Sequence, residues 1–224
     1  GEVYRAQHAL MRRPTAVKVL RPDVTGTRAL QRFEKEVRRT CRLTHPNTIR
    51  IYDYGRTPEG DFYYAMELLE GADLERLVEH AGALPPARVV HILAQTCAAL
   101  HEAHEAGLVH RDVKPSNILL CIRGLEYDVV KVMDFGLVKD TASGDAPLTR
   151  ADEICGSPVT ISPEALTGDD VTRRSDLYAL GAVGCYLLTG QGPFEGKTVM
   201  ELAAAHLHKE PVPPSTRVPG TPAD

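Results

Sequence analysis

His110-Arg111-Asp112-Val113-Lys114-Pro115-Ser116-Asn117 gathers an acid, two cations and an amide into eight residues. Pro115 cannot continue a helix and biases Lys114 towards extended backbone, so the stretch predicts a rigid loop rather than a helix. Loops held by a scaffold are common sites for chemistry. The Asp can accept a proton, the Lys can sit on an anion, and the Asn oxygen can bind a hard cation. Together those are the parts of a phosphoryl-transfer site.

Working outward, other stretches offer partners for this loop. Thr15 to Leu20 is a β-prone run with Lys18 among apolar neighbours. An isolated strand Lys usually faces water; a Lys in a cleft would instead meet phosphates. From Arg28 to Leu43, Leu30, Phe33, Val37 and Cys41 recur at three and four, which predicts an amphipathic helix. Glu34 and Glu36 both lie on it, and either could turn towards Lys18. Asp134-Phe135-Gly136 follows a predicted strand over Val129 to Met133. Asp then Gly at a strand end is ordinary turn chemistry. Beside Asn117, however, Asp134 makes a two-ligand oxygen site suited to Mg²⁺, which takes few protein groups plus substrate phosphates.

The rest of the chain divides by texture. Ile49 to Tyr54 and Phe62 to Met66 read as a hairpin, and Glu67 to Gly71 as a connector ending in a flexible glycine. Asp73 should cap a short helix. Pro85 and Pro86 open a long one, whose buried stripe is read as Val89, Leu93, Cys97 and Leu100, with Gly107 at its end. His101 and His104 lie on that helix. Metal ligation lacks the second spacing of H-E-x-x-H, so structural histidines are the better reading. Ile118 to Ile122 pairs with Val129 to Met133 around Gly124. Residues 139 to 154 are polar and predict a mobile loop. Asp176 to Thr189 is apolar around much of its circumference and predicts a buried central helix. The tail from Pro211 should be irregular.

Composition excludes several classes. The 224 residues carry a formal net charge of -4, which gives no basic field for nucleic acid. Five scattered cysteines, without a C-x-x-C pair, read as reduced and buried thiols and favour a cytoplasmic location. No apolar run is long and clean enough to span a bilayer. Both ends read as cuts through a longer protein.

At this point the chain resembles the eukaryotic-type protein kinase family, most closely its bacterial Ser/Thr branch. Ala16-Val17-Lys18 resembles the V-A-I-K strand, and His110 to Asn117 the H-R-D-x-x-x-x-N loop. Asp134-Phe135-Gly136 is the D-F-G triplet, Ser162-Pro163-Glu164 stands for A-P-E, and Asp176 to Gly181 is similar to the family's D-x-W-S-x-G helix start. The motifs occur in the family's order. The resemblance implies an α+β, two-lobed fold: a small antiparallel β lobe with one helix over 1–66, a hinge over 67–72, and a mainly helical lobe over 73–224.

The resemblance also implies roles. Lys18 would hold the ATP phosphates and pair with Glu36. Asp112 would orient the substrate hydroxyl and take its proton, Lys114 would neutralise the γ-phosphate, and Asn117 with Asp134 would hold Mg²⁺. Gly1 and Val3 are what remains of the glycine-rich loop, whose earlier glycines would lie upstream. Val3, Ala16 and Leu119 would sandwich the adenine. Met66 would back the pocket, the backbone of Glu67 and Leu69 would meet the adenine edge, and Asp73 would reach the ribose. Lys114, two residues after the Asp, implies Ser or Thr as acceptor. Arg111 implies a switch by activation-loop phosphorylation, with Thr149 the first candidate and Thr141 and Ser143 behind it. The implied partners are ATP and protein substrates, with a homodimer for autophosphorylation. The intact protein could be membrane-anchored. A nucleotide-binding pseudokinase, an antibiotic-kinase-type phosphotransferase and a non-enzymatic scaffold are the competing readings. The presence of Lys18, Asp112, Asn117 and Asp134 weighs against the first and third, and Lys114 with Ser162-Pro163-Glu164 against the second.

Overall fold

The computed structural model describes residues 2–20, 34, 36–135 and 159–222. Four strands form the first sheet: β1 (Glu2–Gln7), β2 (Pro14–Leu20), β3 (Ile51–Arg56) and β4 (Phe62–Glu67). Their order is β1-β2-β4-β3, and every pairing is antiparallel. Residues 36–40 are helical (α1), and Val37 of that helix is fully buried. It joins Ala16, Ile49, Ile51, Phe62, Tyr64 and Met66 in one apolar cluster.

Register decides which side chains face this cluster. Residues opposite one another on antiparallel strands share a face, as do residues two apart on one strand. Val3 lies opposite Lys18, Lys18 opposite Tyr64, and Ala16 opposite Met66. Val3, Ala16, Lys18, Tyr64 and Met66 therefore share one side of the sheet.

A second sheet, β5 (Gly71–Asp73), β6 (Ile118–Arg123) and β7 (Glu126–Val132), is likewise antiparallel in the order β5-β6-β7. It packs with α2 (Leu74–Ala81), α3 (Pro86–Glu105) and α5 (Arg173–Thr189) around a larger core. Leu74, Ile92, Leu100, Ile118, Val130, Val183 and Leu187 are almost wholly buried there. α4 (Pro163–Thr167), α6 (Val199–His208) and α7 (Pro214–Arg217) complete the described chain.

Local signals account for the element ends. Asp73 accepts from the Arg76 amide at 2.8 Å and caps α2. Pro86 begins α3, and the left-handed Gly107 follows its last turn. Thr172 and Ser175 form a reciprocal capping box at the start of α5.

Three expectations are corrected. The buried stripe of α3 is Val89, Ile92, Thr96, Ala99, Leu100 and Ala103, whereas Cys97 is exposed and Leu93 only partly buried. A stripe stepping by three and four from Val89 through Ile92 packs between β7 and α5, and Thr96 enters it because its hydroxyl bonds the Ile92 carbonyl at 2.9 Å. Gly71 is no flexible link: it pairs with Cys121, and a Cβ there would stand 2.0 Å from the Leu120 carbonyl oxygen. The tail from Pro211 contains a helical turn, α7, where Arg217 donates to the carbonyls of Gly192 and Pro193. Among the described cysteines, Cys121 and Cys185 are buried and Cys41 half-buried, all as free thiols.

Candidate active site

The loop between α3 and β6 is held from beneath by one buried carboxylate. Asp176, in the first turn of α5, accepts from the backbone N–H of His110 and of Arg111, each at 2.8 Å. His104 Nε2 lies 2.7 Å from the same carboxylate, so this histidine has a structural partner. Such anchoring is needed because Arg111 adopts φ +63, a left-handed conformation that costs a non-glycine residue roughly 1 kcal/mol or more. His110, fully buried, bonds the Met133 carbonyl at 2.8 Å and stacks at a tilt on Phe135. Burial lowers the His110 pKa despite the nearby carboxylates, so the ring remains a neutral strut.

Downstream, Pro115–Asn117 forms a single 3-10 turn that aims Asn117 back at Asp112. The Asn117 side-chain N–H donates to the Asp112 carbonyl at 2.8 Å and to its carboxylate at 3.1 Å. Lys114 Nζ stands 3.2 Å from the same carboxylate. The Met133 amide donates to the Asn117 carbonyl at 2.9 Å, which ties the turn to the chain just before Asp134.

Asp134 also adopts a left-handed backbone, φ +55. Its two carboxylate oxygens have separate donors: Lys18 Nζ reaches Oδ2 at 2.7 Å and the Tyr64 hydroxyl reaches Oδ1 at 2.8 Å. Burial alone would push the Asp134 carboxyl up, but the Lys18 charge and the two hydrogen bonds outweigh it and hold it below the usual range. Burial and the neighbouring Asp134 push the Tyr64 phenol far up, so it stays protonated and donates.

The expected pairing of Lys18 with Glu36 is not the one found. Lys18 is bonded to Asp134, and Glu36 Oε1 stands 3.6 Å from Arg111 Nη1. Both donors to Asp134 come from the first sheet, where Lys18 on β2 lies opposite Tyr64 on β4.

Along the proposed nucleotide edge, Ala16 and Met66 are buried while Val3 is exposed on β1. Leu119 and Asp73 lie opposite one another on β6 and β5. Leu69 packs against the first core. The Glu67 side chain turns away into a buried ion cluster. It accepts from Lys131 Nζ at 2.7 Å and from the Arg50 amide at 2.9 Å, and it pairs with Arg123. Burial would raise the Glu67 pKa, yet these bonds hold it low. Gly1, Thr141, Ser143 and Thr149 lie outside the described residues, as does Gly136.

Sequence reasoning passed over three participants: Asp176, quoted only within a helix motif, Tyr64 and Lys131. An acid inside an otherwise apolar helix and a Lys inside the run Val129 to Met133 were the available signals. Tyr64 had none, since strand tyrosines are common.

The donor set also fits a hard divalent cation. Asn117 spends its N–H on Asp112, which leaves its side-chain oxygen as an acceptor, and Asp134 supplies a carboxylate held in its charged form. Two such oxygens suit an ion that completes its shell with phosphate and water.

The protein kinase domain model matches residues 1–219. The serine/threonine-protein kinase pkn3 of Myxococcus xanthus is 41% identical over 222 residues, covering 98% of this chain and 41% of that protein. The serine/threonine-protein kinase PknB of Mycobacterium tuberculosis is 37% identical over 228 residues, covering 100% of this chain and 36% of that protein. The chain thus spans about two fifths of the length of these relatives. The crystal structure of the Mycobacterium tuberculosis PknI kinase domain superposes with a TM-score of 0.73 at 28% identity, covering 99% of this chain and 78% of that one. On the match to residues 1–219 and on this fold, the chain belongs to the protein kinase domain family.

Proposed function

We propose that this chain is the catalytic domain of a serine/threonine protein kinase, which moves the ATP γ-phosphoryl group to Ser or Thr hydroxyls of protein substrates. The observation that carries the proposal is the convergence of Asp112, Lys114 and Asn117 on one anchored turn, tied through Met133 to an Asp134–Lys18 pair. The names of the pkn3 and PknB relatives support the acceptor class.

In this reading ATP lies between the first sheet and the loop, with the domain divided as 1–66, a hinge over 67–72, and 73–224. The separate apolar clusters on either side support that division. Ala16, Val3 and Leu119 flank the adenine, Met66 backs it, the backbone at Glu67 and Leu69 meets its edge, and Asp73 faces the ribose. Gly1 belongs to the phosphate cover. Lys18 releases Asp134 to hold the phosphates and then takes Glu36 as its counter-charge. Asp112 accepts the proton as the substrate oxygen bonds the γ-phosphorus and ADP leaves. Lys114 offsets charge on the transferred group. Asn117 and Asp134 would hold Mg²⁺, which when bound would supply charge neutralisation to the phosphates.

Arg111 supports a regulated enzyme. A phosphate on Thr149 would offer it a stronger, doubly charged partner than Glu36, freeing Glu36 for Lys18. Phosphorylation in trans would use a transient homodimer. The work is cytoplasmic in this reading, at or near a membrane if the intact protein is anchored there; among the described residues no helix is long and apolar enough to cross one. The test is incubation of the full-length protein with γ-labelled ATP, followed by phosphoamino-acid analysis. Label in phosphoserine or phosphothreonine is expected. Label confined to phosphotyrosine, or nucleotide binding without transfer, would contradict the proposal.

A further inference from the structure

Tyr64 is an odd side chain for its position. It sits in the middle of β4, 2% exposed, within the apolar cluster of the first sheet. A phenylalanine would fill the same space without a polar atom. A buried hydroxyl costs free energy unless it is bonded. Its partner is Asp134 Oδ1, 2.8 Å away and 70 residues further along the chain. Lys18 lies opposite Tyr64 in the sheet register and donates to Oδ2 at 2.7 Å. The two donors approach Asp134 from one side of the sheet and occupy different oxygens.

They differ in permanence. Lys18 carries a compact charge on a flexible four-carbon stem, and a polyphosphate competes for it. The Tyr64 ring has two rotatable bonds, both fixed by burial, and a neutral phenol is not attracted to phosphate as a cation is. When Lys18 turns to the nucleotide, Tyr64 is the donor that stays. Asp134 needs one, because its left-handed backbone must be held by its surroundings.

We propose that Tyr64 is a positioning residue for Asp134: its hydroxyl pins Oδ1 and so presents Oδ2 to the divalent cation once Lys18 has moved to the phosphates. The proposal rests on the kinase reading above. It adds a residue from outside the loop and triplet motifs to the apparatus that sets the divalent-ion requirement.

The experiment compares wild type and Tyr64→Phe in the full-length protein, with ATP alone and with ATP plus graded Mg²⁺. Thermal melting gives one titration and phosphotransfer gives another. The expected result is an unchanged melting shift with ATP alone and a half-saturating Mg²⁺ concentration raised roughly tenfold in both titrations. Identical Mg²⁺ titrations for the two proteins would overturn the Tyr64 role and leave the kinase reading standing. A wild type with no response to ATP and Mg²⁺ would defeat the kinase reading and this proposal with it. Should Tyr64→Phe lose its cooperative melt, NMR on the wild type decides instead. A slowly exchanging phenol proton on Tyr64 that persists when Mg²⁺ and ATP are added supports the pin, and loss of that protection refutes it.

Discussion

Replacing Asp176 by alanine removes the acceptor for two loop amides and a histidine in one step. The carboxylate is 1% exposed, and His110 N–H, Arg111 N–H and His104 Nε2 all lie within 2.8 Å of it. Each buried donor left without a partner costs about 1–3 kcal/mol. Water entering the vacated space recovers part of this, so the expected loss is about 3–5 kcal/mol. That is a large share of the ~5–15 kcal/mol that holds a domain of this kind together. The same deletion frees Arg111 to leave its left-handed conformation, which moves Asp112 one residue away. Two readouts check the account: urea unfolding of the full-length protein, and hydrogen exchange at the His110 and Arg111 amides. The variant should unfold at lower urea and exchange those amides faster. A loss under about 1 kcal/mol with both amides still protected would refute the reasoning that this carboxylate anchors the loop.

Three further expectations follow from the same geometry. Lys131→Met leaves Glu67 buried with only Arg123 and the Arg50 amide, and should cost about 3 kcal/mol in urea unfolding; adding Glu67→Gln to it should restore part of the loss. Glu67 and Asp134 are held low in the folded chain and return to about 4 on unfolding, so the unfolded chain takes up more protons on acidification. Their contribution is present above that value and lost as pH falls through the folded values. The urea midpoint should therefore drop between about pH 5 and pH 3, less steeply in Glu67→Gln. Lys18→Met should abolish most phosphotransfer while the protein still melts cooperatively, as measured by labelled ATP and by thermal unfolding.

Much of the fold was legible because periodicity and punctuation agree. The β-prone run Thr15 to Leu20, the prolines before α3 and Gly107 after it each reflect one local rule. The phase of α3 was misread because Cys97 and Thr96 have the wrong polarities for their places: the buried one is the Thr, satisfied by its own helix. Gly71 looked like slack, yet it is fixed by a backbone approach that belongs to another segment. The loop residues of the site could be read as a motif, since their spacing along the chain sets their geometry. Asp176 was legible only as the start of a helix motif, and Tyr64 and Lys131 not at all, because the partners of these three lie 66, 70 and 64 residues away. The Lys18–Asp134 pair was likewise beyond the sequence, since its two members lie 116 residues apart.

The central claim is that Asp112 accepts the substrate proton in an ATP-dependent transfer to protein hydroxyls. It is tested most directly by the initial rate of γ-phosphate transfer from labelled ATP, in full-length wild type and in Asp112→Asn, with melting curves showing equal folding. The account predicts active wild type and a rate lowered roughly 10²–10⁴-fold in the variant. Equal rates in the two proteins would contradict it.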